Sequence, residues 1–341
     1  MTDPDGMQGG AAELLAVGMV GNADQLACAR ESVTGLDRGQ PQRAIDLQVT
    51  GGLSLRLLPD RGLDVGAAWF DGIPLAWISR VGEVSPAPGG RAPWIDRFGG
   101  GLVTTCGLQN VGVASEGHGQ HGAFSTTPAS DLRTDRAAVD GELELVVTGV
   151  VREGDALDSF LECRRRVTTR TGRAAMTLTD TVVNLGTRSV PSPMLYHLNI
   201  GAPLWSPGAR VVVPRGARTV PRDAGAKAFE DSWDTAPQPV RDGVERVFEH
   251  VIDAAGPAGR QEIRVVHEAL GVAVTVAWDA RTMPRVHQWV HPRAGVYVLG
   301  LEPANCSVLG RAADRAAGRL PTLEPGESRT TSLSVTAARL R

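Results

Sequence analysis

The chain has 341 residues, of which 42% are apolar and 21% are charged, and its formal net charge is −3. This composition is typical of a globular protein and excludes a disordered or fibrous chain. The length is sufficient to bury a core, in one large domain or two ordinary ones. The weakly negative charge gives no electrostatic reason to expect binding to nucleic acid or to an anionic membrane.

The first ten residues, MTDPDGMQGG, are acidic and rich in glycine, and we expect them to be flexible. They lack the basic start and the apolar core of a secretory signal. No run of the chain approaches the roughly 20 apolar residues of a membrane span. The four cysteines form no C-x-x-C pair, which argues against a zinc knuckle or a redox motif. These features predict a cytoplasmic protein with free thiols.

Two short segments near the N-terminus are candidate helices. AELLAVGMV, residues 12–20, has apolar residues at roughly helical spacing. NADQLACARESV, residues 22–33, begins with Asn22 as a candidate N-cap. The second segment fits an edge strand preceded by a turn equally well.

From about residue 48 onward, short segments alternate apolar and polar residues, as half-buried strands do. They are LSLRLLPDRG, GELELVVTGVV, LECRRRVTTRT and AMTLTDTVVNLG, followed by ARVVVPRG, QEIRVVHEA, GVAVTVAWD, GVYVLGLEP and SLSVTAARL. This pattern predicts an all-β fold, a large antiparallel β-sandwich with a few short helices. We interpret the Pro- and Gly-rich residues 214–243 as a surface excursion and residues 1–341 as a single domain.

Two histidines stand three residues apart in GHGQHGAF, residues 117–124. Zinc-binding histidines on a helix are spaced i, i+4, and the glycines here disfavour a helix. In an extended segment, residues three apart face opposite sides, so a metal shared by His118 and His121 is disfavoured. We expect His121 to line a pocket, and we assign no role to His118.

A glycine-dense segment, GGGLVTTCGLQNVG, lies just upstream at residues 99–112. Its glycines follow neither the G-x-G-x-x-G nor the P-loop order that phosphate-binding loops use. We interpret these glycines instead as part of a bulged strand that lines a cavity and that another part of the backbone approaches closely.

His197 in PMLYHLNIGAPLW and Glu302 in GVYVLGLEPANC lie in apolar, strand-like runs. Taken alone, each is more often a hydrogen-bonded core residue than a catalytic one. A carboxylate in such a run is nevertheless costly unless it is paired or put to use. A histidine and an acid on separate strands around one cavity would form an acid–base pair.

Other catalytic arrangements have weaker support in the sequence. Cys106 and Ser115 lack the local signatures of known nucleophiles. A second carboxylate for glycoside cleavage is conceivable at Asp64, Asp180 or Glu116, but no spacing singles one out.

Taken in order, six segments resemble the aldose 1-epimerases, or galactose mutarotase-like proteins, and most closely a bacterial branch labelled as a domain of unknown function. The segments are LPDRGLDVGAAWFDGIPLAW, FGGGLVTTCGLQNVG, GQHGAF, LYHLNIG, HQWV and GLEPAN, and the resemblance runs from about residue 45 to the end. It implies the β-supersandwich of that superfamily. It also implies an isomerase that interconverts the anomers of an aldose by opening and reclosing the ring.

The resemblance further implies roles for single residues. His121 in QHG matches a sugar-holding histidine, His197 in YHLNIG matches the general acid, and Glu302 in GLEP matches the general base. No metal or organic cofactor is implied. The arginine of an HGFAR segment, found in relatives that act on hexose phosphates, is missing from HGAFS here. We therefore expect a carbohydrate without a phosphate group.

The substrate-holding arginine of the well-studied mutarotases has no clear match. Arg97 in DRFGG is one candidate, and Arg61 with Asp64 in DRGLD, which mark the uncharacterised branch, are others.

The segment HQWV adds Gln288 and Trp289 as candidates for substrate binding. Sugars present apolar C–H faces that stack on aromatic rings, although core packing is an equal alternative for Trp289. Strand alternation puts His287, Trp289 and His291 on one face of the sheet. Gln288 then points the other way unless a bulge intervenes.

Two other functions remain open at this point. One is a sugar-binding or regulatory protein that kept the fold without catalysis, against which the intact histidine and glutamate argue. The other is a different carbohydrate isomerase or a lyase on the same scaffold. The identity of the sugar, the pathway and the oligomeric state are left open, a homodimer being one option.

Overall fold

The computed structural model describes residues 10–35, 41–83, 93–157, 159–252 and 259–340. Of the first ten residues, which were expected to be flexible, residues 1–9 lie outside the described part. Within that part, three short α-helices accompany the strands: α1 (Ala11–Ala16), α2 (Ala224–Lys227) and α3 (Arg311–Ala316). None of the described helices is long and apolar enough to cross a membrane.

The strands follow the alternating segments, and each of the nine predicted segments contains one. The first ten are β1 (Ala27–Thr34), β2 (Gln42–Val49), β3 (Ser54–Leu58), β4 (Asp64–Phe70), β5 (Ile73–Pro74), β6 (Val103–Gly107), β7 (Ser130–Val139), β8 (Glu142–Gly154), β9 (Phe160–Arg170) and β10 (Arg173–Asn184). They are followed by β11 (Val190–Pro191), β12 (Met194–Ile200), β13 (Ala209–Val212), β14 (Arg218–Pro221), β15 (Arg246–Val251), β16 (Arg260–His267), β17 (Val272–Asp279), β18 (Arg285–His291), β19 (Val298–Ala304), β20 (Thr322–Leu323) and β21 (Ser328–Arg339).

Two large antiparallel sheets form the sandwich, which confirms the predicted fold class. The first has the order β1-β2-β3-β4-β6-β12-β19-β18-β15-β14, with β5 added beside β4. The second has the order β13-β16-β17-β21-β10-β9-β8-β7, and a small third sheet joins β11 to β20. Strands β12 and β19 are therefore in the interior of the first sheet, with paired neighbours on both sides.

One apolar core contains side chains from both large sheets, among them Leu57 and Leu198 of the first and Val274 and Leu333 of the second. A buried polar group also joins the sheets. Arg165 on β9 contacts Asp180 of its own sheet at 2.7 Å and Asp64 of the other at 2.6 Å. Because each charge has a partner, burial of the group is compatible with stability.

A second apolar cluster covers the other face of the first sheet. It contains Trp94, Phe98 and Leu195, with Trp289 packed against it. On β12, Leu198 belongs to the main core and Leu195 to this second cluster. Because side chains alternate along a strand, His197 projects to the face that carries the second cluster.

The structure refines the predictions made for the ends of the chain and its loops. Of the predicted helix over residues 12–20, only the first part is helical, within α1, whereas the segment 22–33 contains a 3₁₀ turn (Ala23–Gln25) and most of the edge strand β1. Asn22 caps that turn by accepting a hydrogen bond from the backbone N–H of Asp24 at 2.9 Å. Residues 214–243 contain β14 and α2 and are thus more than a surface excursion. All four cysteines are buried and unpaired.

Candidate active site

Strand pairing brings His197 and Glu302 together. β12 and β19 are antiparallel neighbours with Leu198 opposite Leu301, so His197 stands opposite Glu302 and both side chains leave the same face. His197 Nε2 lies 3.3 Å from Glu302 Oε1, and the two side chains are only 6% and 4% exposed. The sequence predicted that the two residues would lie around one cavity, and the register of β12 and β19 places them side by side.

The pair lines a cavity of about 160 Å³. Its apolar walls are formed mainly by Trp94, Phe98, Val247 and Trp289, and its polar side chains are Gln120, His121, His197, Arg222, Glu245 and Glu302. Apolar ring faces with a few converging polar groups are characteristic of small-molecule sites. The cavity thus has an acid–base pair in a largely apolar setting.

Burial governs the protonation of the pair. Burial, with a smaller contribution from nearby Glu245, raises the pKa of Glu302 to about 8. Burial also lowers the pKa of His197 to about 3, with a smaller contribution from the neighbouring His121. At neutral pH the pair therefore holds one proton, on Glu302, and His197 is neutral. The starting state implied by the resemblance has that proton on the histidine instead.

His121 also lines the cavity, with its ring 6.1 Å from that of His197 and 4.5 Å from that of Trp94. Its backbone has φ +57° and is held by two backbone hydrogen bonds, to Gly112 and from Gly107. The ring Nδ1 accepts from the N–H of Gly112 at 3.4 Å. The proton of the neutral ring is accordingly on Nε2, which makes that atom a hydrogen-bond donor.

His118 does not share this cavity. Its Nδ1 lies 3.2 Å from the side-chain oxygen of Gln109, and the residue lines a separate cavity with Glu153 and Arg311. The two histidines of GHGQHGAF thus line different cavities, as their spacing predicted. Among the described residues there is no group of three or more His, Cys, Asp or Glu side chains that could hold a metal ion.

Trp289 links the aromatic wall to a second carboxylate. Its ring is edge-on to that of His197 at 5.3 Å, and its Nε1–H donates to Glu245 Oε2 at 3.0 Å. The other oxygen of Glu245 accepts from Arg222 at 2.8 Å. This arrangement fixes the indole plane and places one charge pair at the half-exposed side of the cavity.

Gly300 has no side chain, which leaves space for the acid–base pair beside it. A Cβ at this position would lie 3.0 Å from Glu302 Oε1, 3.1 Å from His197 Cε1 and 3.1 Å from Trp289 Cβ. These distances are below ordinary van der Waals contact, so a side chain here would displace the groups that line the cavity.

Four of the residues proposed for substrate binding are not brought to this cavity. The carboxylate of Asp64 is occupied by Arg165 and by the hydroxyl and N–H of Thr105. Arg61 is buried and donates to the backbone carbonyl of Arg97. Arg97 lies on the 3₁₀ helix Trp94–Arg97, whose Trp94 and Ile95 line the cavity while Arg97 does not.

Gln288 is the fourth of these residues, and strand alternation explains its position. Its side chain is buried on the core face, where its oxygen lies 3.0 Å from His250 Nε2 and its amide donates to the carbonyl of Trp233. Trp289 and His291 share the other face, with rings 5.8 Å apart. The pairing shows no bulge between Gln288 and Trp289, so the two point to opposite faces, as alternation required.

Several cavity residues were missed by the sequence analysis: Trp94, Phe98, Arg222 and Glu245. Arg222 lies in the segment interpreted as a surface excursion, and Glu245 follows it directly. Trp94 could have been noticed from the sequence. The chain has only seven Trp residues, and this one stands in a Pro- and Gly-rich loop, where a core residue is not expected.

Comparison with known proteins gives a family and a fold. The model of a family described as "Domain of unknown function (DUF4432)" matches residues 39–337. The sequence matches none of the curated proteins with which it was compared. Among solved structures, one described as a "putative aldose 1-epimerase" from Klebsiella pneumoniae superposes with a TM-score of 0.84 at 24% identity, covering 91% of this chain and 83% of that one.

Two further solved structures have the same fold at lower identity. A galactose mutarotase-like protein from Clostridium acetobutylicum has a TM-score of 0.62 at 13% identity, covering 93% of this chain and 100% of that one. A galactose mutarotase related enzyme from Lactobacillus acidophilus has a TM-score of 0.57 at 12% identity, covering 92% and 100%. At these identities the likenesses show the fold, and they confirm the structural side of the resemblance seen in the sequence.

Proposed function

The chain belongs to the family described as a domain of unknown function (DUF4432), and from the cavity of this member we propose that it is an enzyme of the aldose 1-epimerase type. The observation that carries the proposal is the buried pair of His197 and Glu302, 3.3 Å apart, in a cavity with an aromatic wall. A protein that only bound sugar would have no use for two buried ionisable groups that hold one proton between them.

Ring opening removes a proton from the anomeric hydroxyl and delivers one to the ring oxygen. In the resting pair the proton is on Glu302, and its transfer over the 3.3 Å contact to His197 Nε2 produces a carboxylate and an imidazolium. The carboxylate takes the hydroxyl proton while the imidazolium protonates the ring oxygen. The bond between C1 and the ring oxygen breaks, and C1 becomes an aldehyde.

Reclosure runs the same steps backwards. Rotation about C1–C2 presents the other face of the aldehyde, and the ring oxygen re-forms its bond to C1. His197 recovers its proton from that oxygen, and Glu302 returns a proton to the new anomeric hydroxyl. The pair ends with the one proton it had at the start. General acid–base groups of this kind contribute roughly 10²–10⁴-fold to a rate.

The other cavity residues are proposed to hold the sugar. His121 offers the Nε2–H donor to a hydroxyl oxygen, and the apolar face of the sugar packs on Trp289. Arg222 is already paired with Glu245, so the described residues that line the cavity offer no surplus cation for a phosphate. This supports a carbohydrate without a phosphate group. The buried, unpaired cysteines fit the reducing cytoplasm.

Exchange NMR between α and β anomers tests the proposal. A panel of aldoses is measured with the native chain and with Glu302→Gln, His197→Gln and, as a control, Glu262→Gln on the exposed side of β16. We expect at least one aldose to exchange faster, and both active-site variants to lose about 10²-fold or more of that rate. Sugar binding without exchange would overturn the proposal in favour of a binding protein.

A further inference from the structure

A second cavity opens on the same face of the sheet, directly beside the first. Its volume is about 220 Å³, compared with about 160 Å³ for the first. The two share three lining residues, Arg222, Val247 and Val308, so they form one cleft with two compartments. The second compartment is therefore large enough for a group at least as large as the one that the first accepts.

Strand register explains why the second compartment adjoins the acid–base pair. On the next strand, β18, His287 stands opposite Glu302, and on β15, Glu249 stands opposite His287. The residues of this row share one face of the sheet. His197 and Glu302 thus face the first compartment, and His287 and Glu249, further along the same row, line the second.

His287 presents a buried polar atom that lacks a partner. The residue is 3% exposed, and its Nε2 has no hydrogen-bond partner among the described residues. The ring is held through a hydrogen bond to the backbone of Cys306, which must involve Nδ1. Burial lowers the pKa of His287 to about 4, so the ring is neutral at pH 7. Nε2 then carries a lone pair, which calls for an O–H or N–H donor.

Arg285 contributes the complementary group. Its guanidinium pairs with Glu249 at 2.7 Å, but its Nε–H is buried and has no partner among the described residues. Two side chains of the lining therefore carry one unsatisfied acceptor and one unsatisfied donor, and both atoms are buried. A hydroxyl group can satisfy either of them, because it both donates and accepts.

The charges of the compartment are already balanced. Each arginine of its lining has a carboxylate partner: Arg222 pairs with Glu245 at 2.8 Å, Arg285 with Glu249 at 2.7 Å, and Arg319 with Asp314 at 3.6 Å. Within the described part of the chain, a phosphate or a carboxylate would find no surplus positive charge in this lining. The remaining wall is mainly apolar, with Val220, Pro221 and Leu309, and Ser307 adds one polar side chain. Hydroxyls with apolar C–H faces, as in a neutral sugar ring, match this lining.

We propose that the second compartment binds an uncharged second sugar unit, so that the preferred substrate is a reducing disaccharide or a longer saccharide. The reducing unit occupies the first compartment, with its anomeric hydroxyl free to meet Glu302 and His197. The second unit is joined through another carbon of that ring and lies over His287 and Arg285. This inference rests on the proposed function for the identity of the reacting unit, whereas the binding it predicts can be measured separately.

The test compares each monosaccharide with disaccharides that have it at the reducing end. Glucose is paired with maltose and cellobiose, xylose with xylobiose, mannose with mannobiose, and galactose with galactobiose. Anomer exchange by NMR gives kcat/KM, and calorimetric titration of the native chain gives Kd. We expect at least one disaccharide to have a kcat/KM about 10-fold higher and a Kd about 10-fold lower than its own monosaccharide.

Two variants assign the gain to this compartment. Val220 lies on the edge strand β14, is 41% exposed and lines the second compartment only, so Val220→Trp should fill that compartment without disturbing the first. It should remove the disaccharide gain and leave the monosaccharide rate unchanged. Val212→Trp, on the edge strand of the other sheet and 45% exposed, is the matched control and should change neither. His287→Leu should reduce the gain about 3- to 10-fold, the effect of one hydrogen bond.

The outcomes separate the two proposals. If no disaccharide has a higher kcat/KM or a lower Kd than its monosaccharide, or if Val220→Trp leaves the gain intact, the second-unit proposal is overturned while mutarotation stands or falls on its own data. If a disaccharide binds more tightly, Val220→Trp abolishes that gain, and no sugar shows faster exchange, the compartment is upheld and the proposed enzyme activity is rejected.

Discussion

Glu302 and His197 stand on adjacent strands with Oε1 and Nε2 3.3 Å apart, and both side chains are almost fully withdrawn from water. Neutral forms are favoured in such a place, so one proton stays on the carboxyl group and the imidazole remains uncharged. The proposed ring opening needs one proton on the pair, so the pair is competent only while Glu302 or His197 carries it.

The pH dependence of exchange follows from that proton. The pKa of Glu302 is raised to about 8, so we expect kcat/KM to be level from about pH 5 to 7 and to fall as pH rises through about 8, where the pair loses its proton. The pKa of His197 is lowered to about 3, so the pair gains a second proton only below the pH range of the measurement. The measurement is anomer exchange by NMR with the spontaneous rate subtracted at each pH. An acid limb near pH 6.5 would contradict the assignment.

Gly300→Ala should impair exchange with little effect on folding. The added Cβ would stand 3.0 Å from the Glu302 carboxylate and 3.1 Å from the His197 ring, so both groups must shift by a few tenths of an ångström. We expect kcat/KM to fall by about 10-fold or more, because small misplacements of reacting groups are costly. Gly21→Ala is the control, since a Cβ there meets no atom within 4 Å. Equal activity of both variants would show that the pair has more freedom than the packing indicates.

Asp64→Asn separates a structural role from a sugar-binding one. The resemblance suggested substrate binding, but the carboxylate contacts Arg165 and Thr105 between the sheets. Removal of one partner from a buried ion pair costs about 3 to 5 kcal/mol, so denaturant unfolding should show a loss of that order with KM unchanged. Asp46→Asn breaks a partly exposed pair with Arg56 and should cost about 1 kcal/mol or less. A raised KM at unchanged stability would restore Asp64 to the substrate site.

Glu153→Gln should change how stability depends on pH. Glu153 is buried on β8, and burial raises its pKa to about 8 although its carboxylate accepts the N–H of Leu108. Between its unfolded pKa and 8, the folded chain holds a proton that the unfolded chain releases, so native stability falls as pH rises. The variant lacks this loss. Its stability relative to the native chain should rise by up to about 3 kcal/mol from pH 5.5 to 8.

Urea unfolding at several pH values measures that difference, and Glu262→Gln controls for the substitution itself. A difference between Glu153→Gln and the native chain that stays constant with pH would mean that Glu153 is ionised in the folded protein.

Period-two alternation predicted the strands well wherever one face is polar, as in β8 and β10. It carried less information for β12, in which every residue from Met194 to Ile200 is buried, because both faces of that strand are covered. Which of its side chains face the cavity is decided by pairing with β6 and β19, a long-range property. Arg222 and Glu245 escaped notice for a related reason: they reach the cavity from an edge of the sheet and carry no local pattern of their own.

Arg222, Val247 and Val308 line both compartments and separate the one that holds the acid–base pair from the one proposed to select the substrate. The acid–base pair stands on interior strands, where any change is felt by paired neighbours on both sides. The second compartment is bordered by β14, an edge strand with a partner on one side only. If the proposed saccharide site is correct, substitutions on that strand would change which saccharide is accepted while the proton chemistry is retained.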